Sequence, residues 1–293
     1  MASPAAVVQA EPTRIAPDLI AGIVLEAADL SATRAFYEPI IGRNSTWSEN
    51  AQELTCRRGP QHIRFMQRSQ PRTMGEHAQH FGLRVTASRV GGVVEELAAQ
   101  GFDRLEWRED HPDERSPSAY LTDPSGNRVQ LVASSVAAGL IHHAAFEINN
   151  FDYAEYFYLS ALGAAVDYYH GWRAEDYRVD SETDDTSDAC APWTRRDRGS
   201  YRDQGQRILR PNAQVYLRFG PTLLGLFIAT SARQQPPEEM MRGTPRVVLR
   251  TNRTPREVAE ILDGFPFRYE RGGWRFFLRD PSGNFIELEC QGP

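Results

Sequence analysis

Apolar and polar positions along this chain fall into short blocks that return in a fixed order. An apolar stretch at 19–25 predicts a strand. From about 31 to 41, Ala35, Phe36, Ile40 and Ile41 share a helical stripe, with Ser31 as N-cap and Gly42 as the stop. Strand-like pieces follow, including 62–66. The order then repeats: a strand at 81–85, a helix over about 88–100 closed by Gly101, and strands at 120–122 and 128–132. A third round has strands at 143–148 and 164–169 around a helix at about 152–162. The fourth starts at 246–249. There Thr254-Pro255-Arg256-Glu257 reads as a capping box with proline in the first turn, and the helix ends near Gly264. Strands at 274–278 and 285–289 close it. Single helices alternating with groups of strands predict an α+β fold of curved sheets with helices on one face.

The chain also repeats itself in detail. Leu121-Thr122-Asp123-Pro124-Ser125-Gly126-Asn127 is matched by Leu278-Arg279-Asp280-Pro281-Ser282-Gly283-Asn284. Upstream, Phe36-Tyr37 and Phe157-Tyr158 open the ends of equivalent helices. The four blocks are therefore two copies of a two-module unit. From Tyr37 to Asp123 is 86 residues and from Tyr158 to Asp280 is 122, so the second copy carries about 36 more. The surplus matches 173–212, where acids (Glu175, Asp176, Asp180, Glu182, Asp184, Asp185, Asp188) precede arginines (Arg195, Arg196, Arg198, Arg202, Arg207, Arg210) and apolar residues are sparse. A functional lid and a solvated excursion are both open readings.

Composition narrows the function. The 293 residues suffice for one large domain or two ordinary ones. A net charge of −6 argues against nucleic-acid binding, and no apolar run reaches the length of a membrane span. Residues 1–18 lack the apolar core of a secretory signal and read as a loose, disordered tail. Cys56, Cys190 and Cys290 are odd in number and widely spaced, which points to a reducing cytoplasm. All 33 basic residues are arginine, so lysine chemistry is excluded.

The module order, the Phe-Tyr-x-x-x-(Ile/Leu)-Gly helix ends and the Asp-Pro-Ser-Gly-Asn turns resemble the vicinal oxygen chelate superfamily, over residues 19–290. That family includes glyoxalase I, the bleomycin- and fosfomycin-resistance proteins and the type I extradiol dioxygenases. Four βαβββ modules look most like the two-domain extradiol enzymes. The resemblance implies two tandem glyoxalase-like domains: a structural one over 19–135, and one over 140–290 that holds the site and carries the 173–212 insertion. It also implies a divalent metal, Fe2+ or Mn2+, and a small-molecule substrate. A homo-oligomer is compatible with the sequence.

By that resemblance His143, opening the third module, and Glu287, on the last strand of the fourth, stand at metal-ligand positions. The second histidine is replaced by Arg246, and arginine cannot ligate a metal. An Arg246–Glu287 salt bridge in the metal's place is the alternative. The acid–base histidine and the tyrosine of the extradiol enzymes fall on Leu224 and Leu278. His170 is a candidate third ligand or base, set against an ordinary strand-end role. His142, next to His143, is expected on the opposite strand face. In the first half the matching positions are Gly22, His80 and Gln130, which make no convincing site. Tyr168, Trp172 and Tyr216 are candidates to line an apolar, aromatic-binding cup.

Two functions stay open. One is an enzyme acting on an aromatic or vicinally oxygenated compound. It works either through a non-standard metal site or as a metal-independent isomerase, lyase or cyclase with His143, His170 and Arg246 as catalytic groups. The other is a metal-free small-molecule binding protein. Two ligand-type residues at aligned positions favour the enzyme.

Overall fold

The computed structural model describes residues 14–42, 45–75, 79–102, 105–108, 118–134, 140–149, 153, 154, 156–170, 214–228, 237 and 239–292. The first module consists of β1 (Leu19–Ala27), α1 (Leu30–Ile41), β2 (Thr46–Asn50), β3 (Glu53–Arg58) and β4 (Gln61–Gln67). The second has β5 (His80–Thr86), α2 (Val90–Ala99), β6 (Leu105–Arg108), β7 (Ser118–Thr122) and β8 (Arg128–Ser134). In the third, β9 (Ile141–Ile148) is followed by a π-helical segment (Tyr156–Ala161), β10 (Ala165–His170), β11 (Gln214–Phe219) and β12 (Thr222–Ile228). The fourth contains β13 (Arg246–Arg250), α3 (Pro255–Leu262), β14 (Tyr269–Gly272), β15 (Arg275–Arg279) and β16 (Phe285–Glu289). The fold is thus α+β, four βαβββ modules in two glyoxalase-like units. In each module the last strand lies parallel beside the first. The intervening helix is the crossover that a parallel pair needs.

Local chemistry sets the helix ends. At α3 the Thr254–Glu257 capping box is formed, with Pro255 in the first turn. At α1 the cap is Asp29 rather than Ser31. Its carboxylate accepts the backbone N–H of Ser31 at 2.8 Å and of Ala32 at 3.0 Å.

The two repeated sequence marks meet in space. Tyr37 Oη donates to Asp123 Oδ2 at 3.0 Å, and Tyr158 Oη donates to Asp280 Oδ2 at 2.9 Å. Each turn also reaches back to the preceding module: Asn127 donates to the Glu26 carbonyl, and Asn284 to that of Glu147. All four partners of the tyrosine–aspartate pairs are buried. Burial holds both aspartates above the usual carboxylate range, against the pull of the bonds they accept.

The sheets do not follow the halves of the chain. One eight-stranded sheet runs β14-β15-β16-β13-β1-β4-β3-β2, and the other β10-β11-β12-β9-β5-β8-β7-β6. The first sheet joins modules one and four through the antiparallel pair β1–β13. The second joins modules two and three through β5–β9. A boundary at 135–140 therefore cuts the second sheet rather than separating two sheets. The physical reason is edge pairing: each module leaves its first strand open on one side, and that edge must be covered. Consecutive modules two and three cover each other, which leaves one and four to do the same. One hydrophobic cluster draws on both sheets and the helices, so the helix-bearing faces of the sheets share a core.

Residues 14–18, expected within a tail, belong to the fold. Ile15 is fully buried, and Ala16 N–H donates to Leu162 O at 2.8 Å. Thr251 Oγ1 donates to Ile15 O, and Asp18 pairs with Arg250 at 3.2 Å. Residues 1–13, the 173–212 insertion, Trp172 and Cys190 lie outside the described residues. Cys56 and Cys290 are free and buried. Among the described residues no helix is long and apolar enough to cross a membrane.

Candidate functional site

On each sheet the face away from the helices carries the polar chemistry, because strand alternation sends every second residue there. On the second sheet Gly82 pairs with both Gln130 and His143. The His143 ring lies across Gly82, where a β-carbon would collide with it. His143 Nε2 stands 3.1 Å from His80 Nε2, and His143 Nδ1 stands 2.8 Å from His142 Nδ1. Three imidazoles thus form one hydrogen-bonded run.

His142 was expected on the opposite face. The ladder between β5 and β9 steps from Gly82–His143 to Leu83–Ile141, leaving His142 as an extra residue. A bulge of this kind breaks the alternation and lets neighbouring side chains meet. Burial, followed by the charges of Arg84 and Arg218, pushes the His142 pKa down to about 4, so it is neutral at pH 7.

Aromatic rings surround the run. Tyr120 and Phe227 approach His80 with ring centres at 5.3 and 5.9 Å, and Tyr216 lies 6.4 Å from His143. Gln130, paired with Tyr120 in the ladder, is 1% exposed. Tyr168 pairs with Tyr216, and His170 with Gln214. His143 aligns through Leu223 and Arg218 with Ala165, so His170 stands three strands and five residues from its row. That is about 14 Å across and about 17 Å along the sheet. The structure does not bring His170 to His143.

The first sheet is built differently. His62 pairs with Gly22, Gly22 with Val248, and Val248 with Glu287. The His62 ring lies over Gly22, whose β-carbon would sit 2.5 Å from Nε2. Burial first, then Arg64, Arg57, Arg275 and Arg246, drives the His62 pKa down to about 3. Arg246 Nε donates to Glu287 Oε2 at 2.7 Å, and Arg275 lies 3.3 Å from Glu287 Oε1. Glu287 is fully buried and Arg246 nearly so. Two guanidinium groups therefore hold the carboxylate.

The expected metal pair is thus divided. His143 lies on the second sheet and Glu287 on the first, because module three pairs with two and module four with one. Arg246 does meet Glu287, but as a salt-bridge partner. On the second sheet two imidazole nitrogens are one donor short of the three protein ligands a catalytic metal site uses. Among the described residues no group of three or more histidines, cysteines or acids fits a metal ion. The His80–His143 contact was missed because His80 was assigned to the other half of the chain. The available signal was that both residues lie within the first three positions of the first strand of a module.

A family model described as a glyoxalase-like domain matches residues 22–132, the first two modules. Glyoxalase I from Zea mays superposes with a TM-score of 0.60 at 14% identity, over 92% of this chain and 90% of its own. A Bacillus subtilis protein described as a candidate dioxygenase superposes with a TM-score of 0.59 at 11% identity, over 94% of this chain and 86% of its own. At such identities the likeness to these structures is one of fold. No curated protein matches the sequence.

Proposed function

We propose that this chain, whose fold is like that of the vicinal oxygen chelate proteins, turns over a small oxygenated or aromatic molecule on the second sheet, moving a proton with the His80–His143 pair. The observation that carries this reading is the hydrogen-bonded run of three imidazoles among Tyr120, Tyr216, Phe227 and Gln130. Histidine is the side chain whose charge changes near neutral pH, and flat rings suit a planar ligand.

A C–H acidified by a neighbouring carbonyl gives its proton to the histidine pair, and the 3.1 Å contact shares the resulting charge. The pair then returns a proton to the former carbonyl carbon of the enediol, while the proton of the neighbouring hydroxyl passes to the former carbonyl oxygen. One C–H and one O–H bond break and one of each forms, no second reactant is consumed, and the reaction class is isomerisation of an α-hydroxyketone. His142 does not take the charge, since its pKa is held at about 4. As a neutral ring bonded to Nδ1 of His143, it couples its own tautomer to that of His143, since only one of the two Nδ1 atoms can carry the shared proton. His142 is therefore a positioning residue. The donor set falls short of a three-ligand metal site, and the scheme runs on the imidazoles alone.

The test is deuterium exchange in D2O, followed by NMR, with aliphatic and phenyl-substituted α-hydroxyketones as probes. The wild-type protein is expected to exchange a C–H beside the oxygenated carbon of at least one probe. His143→Ala should slow that exchange by about 10²- to 10⁴-fold, while His170→Ala should leave it unchanged. Saturable binding without exchange replaces the enzyme with a sequestration protein. Exchange that survives His143→Ala, or that a chelator abolishes and iron(II) or manganese(II) restores, overturns the proposal.

A further inference from the structure

Although the chain is acidic overall, four arginines converge on one cavity of about 480 Å³ at the margin of the first sheet. Its walls include Arg68 and Arg72 from the segment after β4, Arg242 before β13, and Arg246 on β13. Met66, Met240 and Phe277 supply apolar surface, and among the described residues Glu26 is the one acid in the lining. The volume lies within the range of small-molecule sites.

The charges do not cancel within the cavity. Both Glu26 oxygens are engaged in construction: Oε2 accepts the backbone N–H of Arg72 at 2.7 Å, and Oε1 accepts the Thr244 hydroxyl. Glu26 thereby ties together the two segments that carry the arginines. Its distance to Arg68 Nε is 3.9 Å, too long for a hydrogen bond. Arg72 makes no ion pair among the described residues; its side chain contacts Met240 Sδ at 3.4 Å. Arg242 is bonded to Glu270 at 2.7 Å, with its guanidinium carbon Cζ 4.5 Å from the Phe277 ring centre. Arg246 is anchored to Glu287 and to the Gly243 carbonyl, and it also lies over Phe277, at 5.4 Å. Gly243 lets Phe285 pack behind this wall, since a β-carbon there would collide with its ring. Arg72 thus brings charge with no close carboxylate among the described residues, and Arg68 brings charge met only by a 3.9 Å contact to Glu26, next to two arginines already fixed in place.

We propose that this cavity is a binding site for a small organic phosphate, its dianionic head held by Arg68, Arg72, Arg242 and Arg246 and its apolar part set against Phe277, Met66 and Met240. Guanidinium forks match phosphate oxygens in charge and geometry. The site is on the first sheet and is independent of the imidazole run on the second.

The experiment is calorimetric titration of the full chain with phenyl phosphate, inorganic phosphate and phenol at fixed ionic strength. Phenyl phosphate is expected to bind more tightly than inorganic phosphate, because the ring adds apolar contact, and phenol is expected not to bind. Affinity should fall as pH drops below about 6, where the phosphate takes up its second proton. Arg72→Met and Arg242→Met should each weaken binding by about tenfold or more. Arg256→Met, on the exposed surface of α3, and His143→Ala should leave it unchanged. Circular dichroism of each variant separates lost binding from lost folding. Absence of phenyl phosphate binding at millimolar concentration, equal binding of phenol, or binding that Arg72→Met and Arg242→Met both leave unaltered overturns the proposal.

Discussion

His62→Gln should make the protein markedly less sensitive to mild acid. His62 is buried, its ring lies over Gly22, and its Nε2 has no hydrogen-bond partner among the described residues. Burial and four arginines hold its pKa at about 3, against an ordinary value near 6.5. Between those values the unfolded chain binds a proton that the folded chain refuses. Stability from this residue is therefore complete above about pH 7 and is lost as the pH falls, by up to about 1.4 kcal/mol per unit. Between pH 8 and pH 5 the linkage amounts to about 2 kcal/mol, since the unfolded imidazole is almost fully charged at pH 5 and His62 is not. Glutamine cannot titrate, so the variant should lose about 2 kcal/mol less than wild type over that interval, whatever its stability at pH 8. Urea unfolding followed by tryptophan fluorescence at pH 8, 6.5 and 5 measures both series. If the two stability curves run parallel from pH 8 to pH 5, His62 titrates like a solvated histidine and the electrostatic account of the first sheet fails.

The tyrosine–aspartate pairs should behave as structural ties. Tyr37→Phe and Tyr158→Phe are each expected to cost about 1–3 kcal/mol, read by urea unfolding, with no change in the exchange chemistry of the second sheet; a neutral effect would mean the bonds contribute nothing. Arg246→Met removes the closer of two partners from the buried Glu287 and should cost about 3–5 kcal/mol. An Arg246→Met/Glu287→Met double variant should recover most of that loss, and failure to recover would show that the pair does more than neutralise its own charges. Gly82→Ala should displace the His143 ring and abolish probe exchange, whereas Gly22→Ala, on the other sheet, should not. Equal loss in both would remove the assignment of the chemistry to the second sheet.

Those features of the fold that rest on local chemistry were legible in the residues. The capping box at Thr254, the glycine stops and the Asp-Pro-Ser-Gly-Asn turns each depend on a few adjacent side chains. The repeat was legible too, and its two marks proved to be opposite ends of one contact, Tyr37 to Asp123 and Tyr158 to Asp280. What stayed hidden was which open edges would pair. Nothing local in β1, β5, β9 or β13 states its partner, yet that choice decides whether His143 faces Glu287 or His80. The bulge at His142 was hidden for a related reason, since an extra residue in a ladder exists only relative to the opposing strand.

The two faces follow one plan with different chemistry. In both sheets a glycine on the first strand of a module makes room for an imidazole from the neighbouring strand: Gly22 beneath His62, and Gly82 beneath His143. On the first sheet burial, and then the surrounding arginines, hold that imidazole neutral, and Glu287 is paired with Arg246 and Arg275. On the second sheet the neighbours are two further imidazoles, an amide and aromatic rings. A proton on His62 would stand among four like charges, whereas a proton on His143 can be shared with His80. The same backbone arrangement thus keeps the first-sheet imidazole uncharged, while the proposed proton transfer is placed on the second sheet and the proposed anion site on the first.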